Sequence, residues 1–244
     1  MALMESDYDI LNNFGFAVKP VGIKYFVRRP QGIGRLEKRM ALCEMLREAQ
    51  EGEVFCADAD NHTCEAGPYV LGHTDAEQCF ISGEYGAGLQ VFSEERAAGR
   101  LYHYVPRIAK GVANFVAFSC LDKLSFDPDV LIIVADISQT EILLRAMSYR
   151  NGKMWSSRYS AAIGCSWLFV YPYLSGEMNY VATGLGSGMK RRKVFPDGLH
   201  VVSIPFDRLP SMLQVLKEMP WVPKPFGPDG PEYVRQLRER LGLE

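Results

Sequence analysis

The feature that most constrains the fold is a run of six consecutive apolar residues, Val130 to Ala135, followed at once by a helical pattern. A run that is apolar at every position is typical of a strand covered on both faces of a sheet. Asp136 or Ser138 then fits the N-cap of a helix from Gln139 to about Tyr149. A buried strand that leads into a helix is half of a β-α-β unit, so we expect a sheet with helices packed on it.

Shorter segments of both kinds alternate along the rest of the chain. Strand patterns occur at 21–27, 53–57, 112–120, 179–183 and 200–204, and helix patterns at 35–50, 93–104, 206–217 and 231–241. The sequence therefore predicts an α+β fold (mixed α/β), with a mixed sheet flanked by helices. We expect a single domain over residues 1–219, and a proline-rich strap with a C-terminal helix over residues 220–244.

The two halves of the predicted domain show a weak internal similarity. A strand, a helix, a glycine and a cysteine follow one another in both, with Gly52 twelve positions before Cys64 and Gly152 thirteen before Cys165. An internal strand-helix duplication, with pseudo-repeats at 15–110 and 111–219, explains this similarity, and so does chance. A duplication would bring the two cysteines to equivalent places around one axis.

Composition and charge exclude several classes of protein. The chain has 27 basic and 29 acidic side chains among 244 residues, a net charge of -2. Such a chain has no overall field to hold a polyanion, so no nucleic-acid partner is expected. The start lacks the basic residues of a secretory signal, and the central apolar run is far shorter than the roughly twenty residues of a membrane span. We expect a cytoplasmic protein with no membrane partner.

The six cysteines point to a site built from distant segments, because no C-x-x-C pair is present. That absence excludes a zinc ribbon and a ferredoxin-type run. Thiolates from separate elements can still converge on an iron–sulfur cluster or a soft metal. Free cysteine also fills core volume, and we interpret Cys56, Cys79 and Cys120 in that way.

Cys64 and Cys165 differ from those three because small residues lie beside them. Gly67 follows the first and Gly164 precedes the second, and such residues let another group approach the backbone. Cys43, on the predicted helix 35–50, fits either a core position or the same site. His62, two residues before Cys64, fits a metal ligand, a donor to a ligand, or an exposed loop histidine.

A glycine-rich basic segment, residues 184–193, follows a predicted strand. Its glycines free backbone N–H groups to face an anion, and its cations, Lys190 and Arg191 among them, suit phosphate or carboxylate. It lacks the ending of a P-loop and is not a clean dinucleotide-binding motif. The alternative interpretation is a flexible turn with a solvated basic flank.

A set of short motifs occurs in an order that resembles the domain-of-unknown-function family numbered 169 of bacteria and archaea. The set comprises Pro20-Val21-Gly22-Ile23-Lys24, Cys43-Glu44-Met45, Cys64, Gly67 to Gly72, Ser82-Gly83-Glu84, Val105-Pro106, Pro128-Asp129-Val130, Cys165 and Pro172-Tyr173 with Gly176-Glu177. The likeness runs from about residue 8 to 217. The resemblance places the family's motif cysteines on Cys43, Cys64 and Cys165, and implies no established activity.

Three functions remain open from the sequence. The first is a cytoplasmic cofactor-binding protein that holds an iron–sulfur cluster or thiophilic metal through Cys43, Cys64 and Cys165, in a redox or Lewis-acid role, with a small molecule or an electron-transfer protein as partner. The second is a module for a small anionic ligand such as a phosphate, carboxylate or nucleotide, which uses 184–193 and leaves the cysteines structural. The third is a thiol enzyme whose nucleophile is one of the cysteines.

Overall fold

The computed structural model describes residues 7–243. Residues 1–6 of the predicted domain 1–219 and residue 244 of the predicted C-terminal segment 220–244 lie outside the described residues. The described residues form a six-stranded sheet whose strands lie in the order β2-β3-β1-β4-β6-β5. Its strands are β1 Val21–Phe26, β2 Phe55–Ala57, β3 Phe115–Cys120, β4 Val130–Ala135, β5 Asn179–Ala182 and β6 His200–Pro205. Every pairing between neighbouring strands is antiparallel.

Helices cover both faces of this sheet, which confirms the predicted α+β fold. The sheet is antiparallel throughout its six strands, so the predicted mixed sheet is wrong: the strand-helix unit at 130–148 does not lead into a parallel neighbour of β4. The helices are α1 Leu42–Gln50, α2 Ala66–Val70, α3 Gln78–Ile81, α4 Glu84–Gly88, α5 Glu95–Tyr104, α6 Ile137–Ser148, α7 Tyr171–Ser175, α8 Ser187–Arg191, α9 Leu209–Glu218 and α10 Gly230–Leu241. Short 3₁₀ turns occur at Asp9–Phe14, Ala59–Asn61, Leu121–Lys123, Phe206–Arg208 and Lys224–Phe226.

Strand β4 lies inside the sheet, and its side chains divide between two cores. Val130, Ile132 and Val134 belong to a core with α1, α2 and the segment 165–170. The alternate residues Leu131 and Ile133 belong to a second core with α6 and α9. Each β4 side chain is therefore buried, because helices pack on both faces of the sheet, and this explains a run with no polar position.

The strand order repeats between the two halves of the sheet. β1, β3 and β2 lie side by side in that order outward from the centre, and β4, β6 and β5 lie in the equivalent order on the other side. The helices do not follow this repeat, since α1 contributes to the first core and α6 to the second. The duplication, with its pseudo-repeats, stays a prediction.

Helix α1 begins seven residues later than the pattern at 35–50 predicts. Residues 35–40 are extended instead, and Arg35 and Met40 form isolated parallel bridges to Cys56 and His62. The buried Asn61 side chain donates hydrogen bonds to carbonyls of this extended segment, including that of Leu36 at 2.7 Å. These tertiary contacts override the helical periodicity, and they place Cys43 in the first turn of α1.

The segment Ser166–Val170 is a π-helical turn between Cys165 and α7. Its wide backbone leaves carbonyls for side chains of other elements. The Tyr25 hydroxyl donates to the Phe169 carbonyl at 2.6 Å, and the Asn179 amide donates to the Trp167 carbonyl at 2.9 Å. Both bonds are buried, so they fix the turn that carries Cys165 against the sheet.

The C-terminal segment is attached to the second core and ends in a helix. Trp221 packs on Phe14 with ring centroids 4.3 Å apart, and Arg145 donates to the carbonyls of Pro220 and Trp221. Helix α10 then runs from Gly230 to Leu241. No helix among residues 7–243 is long and apolar enough to cross a membrane.

Candidate functional site

A cavity of about 280 Å³ opens on the α1 side of the sheet. It is lined by the start of α1, the residues before and at the start of α2, the helices α3 to α5 with the residues between them, residues 162–165, and residues 186–189 with 191 and 192. The cavity therefore collects five parts of the chain that are far apart in sequence. Its size lies at the lower end of the range for small-molecule sites.

Three cysteines line this cavity together: Cys43, Cys64 and Cys165. Cys43 stands in the first turn of α1, Cys64 just before α2, and Cys165 just before the π-helical turn. Cys43 and Cys165 are buried and Cys64 is half-buried. The structure thus brings together the three cysteines that the sequence singled out.

The electrostatics show that the three sulfur atoms influence one another. Burial, with a smaller contribution from the neighbouring Cys64, raises the pKa of Cys43 to about 12, and Arg192 opposes the shift. Burial also raises the pKa of Cys165 well above its usual value, and both Cys64 and Cys43 add to that increase. Cys43 and Cys165 are therefore neutral thiols near pH 7, in contrast to the low-pKa cysteine that a thiol nucleophile needs.

The three cysteines suit a metal by the kind of donor atom they offer, but not by the positions of their side chains. Three soft sulfur donors from separate elements suit a thiophilic metal. As arranged, however, residues 7–243 contain no group of three or more His, Cys, Asp or Glu side chains placed to hold a metal ion. Ligation by the three cysteines would therefore require the site to rearrange.

The basic segment contributes to the same cavity through Arg191 and Arg192, but not through Lys190. Lys190 lies instead along a neighbouring groove, close to Phe195 and Lys193. The short helix α8 turns successive side chains in different directions, so its cations divide between two surfaces. The sequence did not single out Arg192, although it is the cation whose charge acts on the Cys43 thiol.

The two glycines predicted beside the site play different parts. Gly164 lines the cavity, and a Cβ there would lie 2.9 Å from Cζ of Tyr159 and closer still to its hydroxyl oxygen. Gly67 is buried, is not among the lining residues, and packs against His62 and Leu42. In both places the glycine does admit a close neighbour, and that neighbour is a side chain of the protein.

His62 is buried, with 4% of its surface exposed, rather than an exposed loop residue. Neither of its ring nitrogens has a hydrogen-bond partner among the described residues, and its ring lies 5.4 Å from that of His73. Burial lowers the pKa of His62 to about 4, with a smaller contribution from His73. His62 does not line the cavity, so it packs behind the site.

Cys56, Cys79 and Cys120, which we interpreted as structural, are not among the residues that line the cavity. Cys56 and Cys120 are fully buried in strands β2 and β3, and Cys79 is half-buried on α3. All six cysteines are free. The three inside the cavity thus form a distinct group.

One part of the cavity gave no signal in the sequence. Apolar side chains of α3, α4, α5 and the residues between them form a wall along it: Phe80, Tyr85, Leu89, Val91, Phe92, Leu101 and Tyr102. We call this set the apolar wall. Its helices are four to ten residues long, and the two shortest bury no residue, so hydrophobic periodicity could not reveal it.

The fold and the site together define an α+β protein with a small cavity lined by three thiols and two guanidinium groups. A family model for DUF169, described as an uncharacterised ArCR, matches residues 10–215. The chain therefore belongs to the DUF169 family, as the ordered motifs indicated. No curated protein and no solved structure matches the chain.

Proposed function

We propose that this protein binds a cofactor in the cavity, and that Cys43, Cys64 and Cys165 hold an iron–sulfur cluster or another thiophilic metal there. The observation that carries the proposal is the convergence of three cysteines, separated by up to 122 positions, on one cavity of about 280 Å³. Chance burial alone gives no reason for three of six thiols to line the same opening.

The surroundings of the thiols support an anionic, sulfur-ligated cofactor. Metal binding requires the thiols to lose their protons, and the resulting thiolates repel one another. The guanidinium of Arg192 already opposes the rise in the pKa of Cys43, and Arg191 lines the same cavity. These cations would offset the negative charge of a thiolate-bound centre.

Three protein ligands would leave one coordination position open toward the cavity. A bound cluster or metal would supply electron transfer or a Lewis-acid position at that point. The chain's own residues would hold the centre, limit its contact with water through the apolar wall, and balance its charge. A small molecule or an electron-transfer protein would be the partner.

The test is elemental analysis and an absorption spectrum of protein purified without oxygen. A cluster gives brown protein with sulfur-to-iron absorption, and another metal gives a fixed metal content per chain. Substitution of Cys64 by Ser should remove the metal, since the half-buried Cys64 tolerates a hydroxyl better than the two buried thiols.

Cys120→Ala is the matched control, because Cys120 is a free cysteine outside the cavity. It should retain the metal content of the unaltered chain. Protein that is colourless and free of metal after anaerobic purification, and that takes up neither iron with sulfide nor zinc, would remove the proposal.

A second candidate is a binding module for a small anionic ligand, in which the cysteines are structural. The observation that favours it is the position of Arg191 and Arg192 in the cavity wall. Reversing both charges to glutamate should then abolish ligand binding, whereas Cys64→Ser should leave it intact. The two candidates are thus separated by which substitution removes the bound molecule.

A cytoplasmic location is part of the same proposal. The six free cysteines are in keeping with a reducing compartment, where thiols persist. Fractionation of cells that express the full chain, with detection of the protein in each fraction, tests the location.

A further inference from the structure

The apolar wall is covered only in part by the protein itself. No residue of α3 or α4 is buried, and Tyr85 and Leu89 expose 41% and 49% of their surfaces. Both side chains line the cavity together with the half-buried Phe80 and Phe92. Apolar surface of this kind, rimmed by charge, is typical of a ligand site.

The apolar wall is firmly built, because two glycines let α3 and α4 pack closely on α5. A Cβ on Gly99 would lie 2.7 Å from the Ile81 carbonyl oxygen, and one on Gly83 would overlap the Glu95 carbonyl oxygen. Gly83 also has φ +89°, a conformation that favours glycine. The aromatic side chains are thus carried by backbone that is held in place.

Besides the apolar wall, the cavity has a few charged side chains. Arg191 and Arg192 supply two positive charges, and Glu65 supplies one negative charge. A guanidinium binds carboxylate and phosphate through paired hydrogen bonds, which makes it suited to an organic anion. The site therefore combines a cationic part with a larger apolar part.

We infer that the cavity takes an organic anion, a carboxylate or a phosphate monoester attached to an aromatic or branched apolar body. Its volume of about 280 Å³ is nearly twice that of a cavity of roughly 150 Å³ that accommodates benzene, which suits roughly ten to fifteen non-hydrogen atoms. The anion would pair with Arg191 and Arg192, and the body would cover the apolar wall.

Simpler occupants fit the cavity less well. An inorganic anion would pair with the guanidinium groups but would leave Tyr85 and Leu89 exposed. A neutral apolar molecule would cover those side chains but would leave the two guanidinium groups with only the single negative charge of Glu65 to balance them. The organic anion with an apolar body would occupy the same cavity as the proposed cofactor, and its binding does not depend on a metal.

Isothermal titration calorimetry of the full chain with a matched series of small molecules tests the inference. The probes are 3-phenylpropionate, its neutral amide, acetate, phenyl phosphate and inorganic phosphate. We expect the two aromatic anions to bind, and the amide, acetate and inorganic phosphate each to bind at least roughly tenfold more weakly, since each lacks one of the two interactions. Whichever of 3-phenylpropionate and phenyl phosphate binds more tightly shows whether the site prefers a carboxylate or a phosphate.

Two substitutions on the same segment provide the matched variants. Arg192→Gln removes a charge that lines the cavity, and Lys190→Gln removes an equal charge that does not. Arg192→Gln should weaken the aromatic anion roughly tenfold, and Lys190→Gln should leave its affinity within about twofold. Circular dichroism establishes that both variants are folded.

Any one of four results would overturn the inference. They are equal binding of 3-phenylpropionate and its amide, equal binding of 3-phenylpropionate and acetate, equal weakening by the two substitutions, and no binding by either aromatic anion. The outcome is separate from that for the metal. Binding of the aromatic anion should survive Cys64→Ser, whereas metal content should not, so either proposal can fail while the other stands.

Discussion

Gly164 offers a quantitative test of how the cavity is built. A Cβ at this position would lie 2.9 Å from Cζ of Tyr159 and well inside contact distance of its hydroxyl oxygen. Tyr159 is half-buried and its ring is rigid, so it cannot yield as a flexible side chain would. Gly164→Ala should therefore force the tyrosine ring or the turn before Cys165 to move.

The expected loss follows from two opposing effects. Overpacking in a well-packed region costs about 1–3 kcal/mol. Replacing a helical glycine by alanine recovers about 0.5–1 kcal/mol of backbone entropy. The net loss in the free energy of unfolding should be about 1 kcal/mol and at most about 2.5 kcal/mol. For a chain of this length, a loss of about 1 kcal/mol lowers Tm by roughly 2–4 °C.

Chemical denaturation and thermal melting measure this loss, and a double-mutant cycle identifies its cause. In a Tyr159→Leu background the obstructing ring is absent, so Gly164→Ala should stabilise the protein there by about 0.5–1 kcal/mol. The coupling should then equal the overpacking cost of about 1–3 kcal/mol. Gly88→Ala is the control, because no atom lies within 4 Å of its added Cβ. Equal losses in the two backgrounds, or no loss in either, would refute the proposed packing of Tyr159 against Gly164.

Three further substitutions test other contacts. His62→Asn should make the free energy of unfolding less dependent on pH, because burial lowers the pKa of His62 to about 4 while the unfolded chain takes up the proton near pH 6.5. The stability that His62 contributes above pH 6.5 is lost as the pH falls toward 4, by about 3 kcal/mol. Denaturation at several pH values measures this loss in both chains. Asp136→Ala should cost about 1 kcal/mol, because its carboxylate accepts from the Gln139 N–H at 2.7 Å, and Ser138→Ala should cost little in the same urea titration. Gly83→Ala should lower Tm markedly more than Gly88→Ala, because of its positive φ and its overlap with the Glu95 carbonyl.

The sheet was largely predictable from sequence because its strands have clear local patterns. The predicted strand at 130–135 coincides with β4, and Asp136 caps α6 as the pattern indicated. Each of these signals is local: a run of buried residues, or a cap at the position where a helix begins. The late start of α1 was not predictable, because it depends on hydrogen bonds from Asn61, far away in the chain.

The candidate site was predictable only in part. The choice of Cys43, Cys64 and Cys165 rested on small neighbours and on the family's motif positions, and the structure gathers them at one cavity. The inclusion of Arg192 depends on the path of a five-residue helix. The apolar wall depends on two close backbone contacts at Gly83 and Gly99, which no periodicity encodes.

The two functions proposed for this chain use one location in the molecule. Residues 184–193 and the three cysteines were separate features of the sequence, and in the structure Arg191, Arg192 and the thiols line the same cavity. The thiolate-bound centre and the organic anion are therefore alternative occupants of the same volume of about 280 Å³.

X-ray absorption at the zinc edge tests the central claim most directly. The chain would be purified without oxygen, incubated with Zn²⁺ and freed of excess metal before measurement. Ligation by Cys43, Cys64 and Cys165 predicts three sulfur neighbours at about 2.3 Å and one lighter atom. A shell of nitrogen and oxygen alone at about 2.0–2.2 Å, or retention of neither zinc nor iron supplied with sulfide, would contradict it.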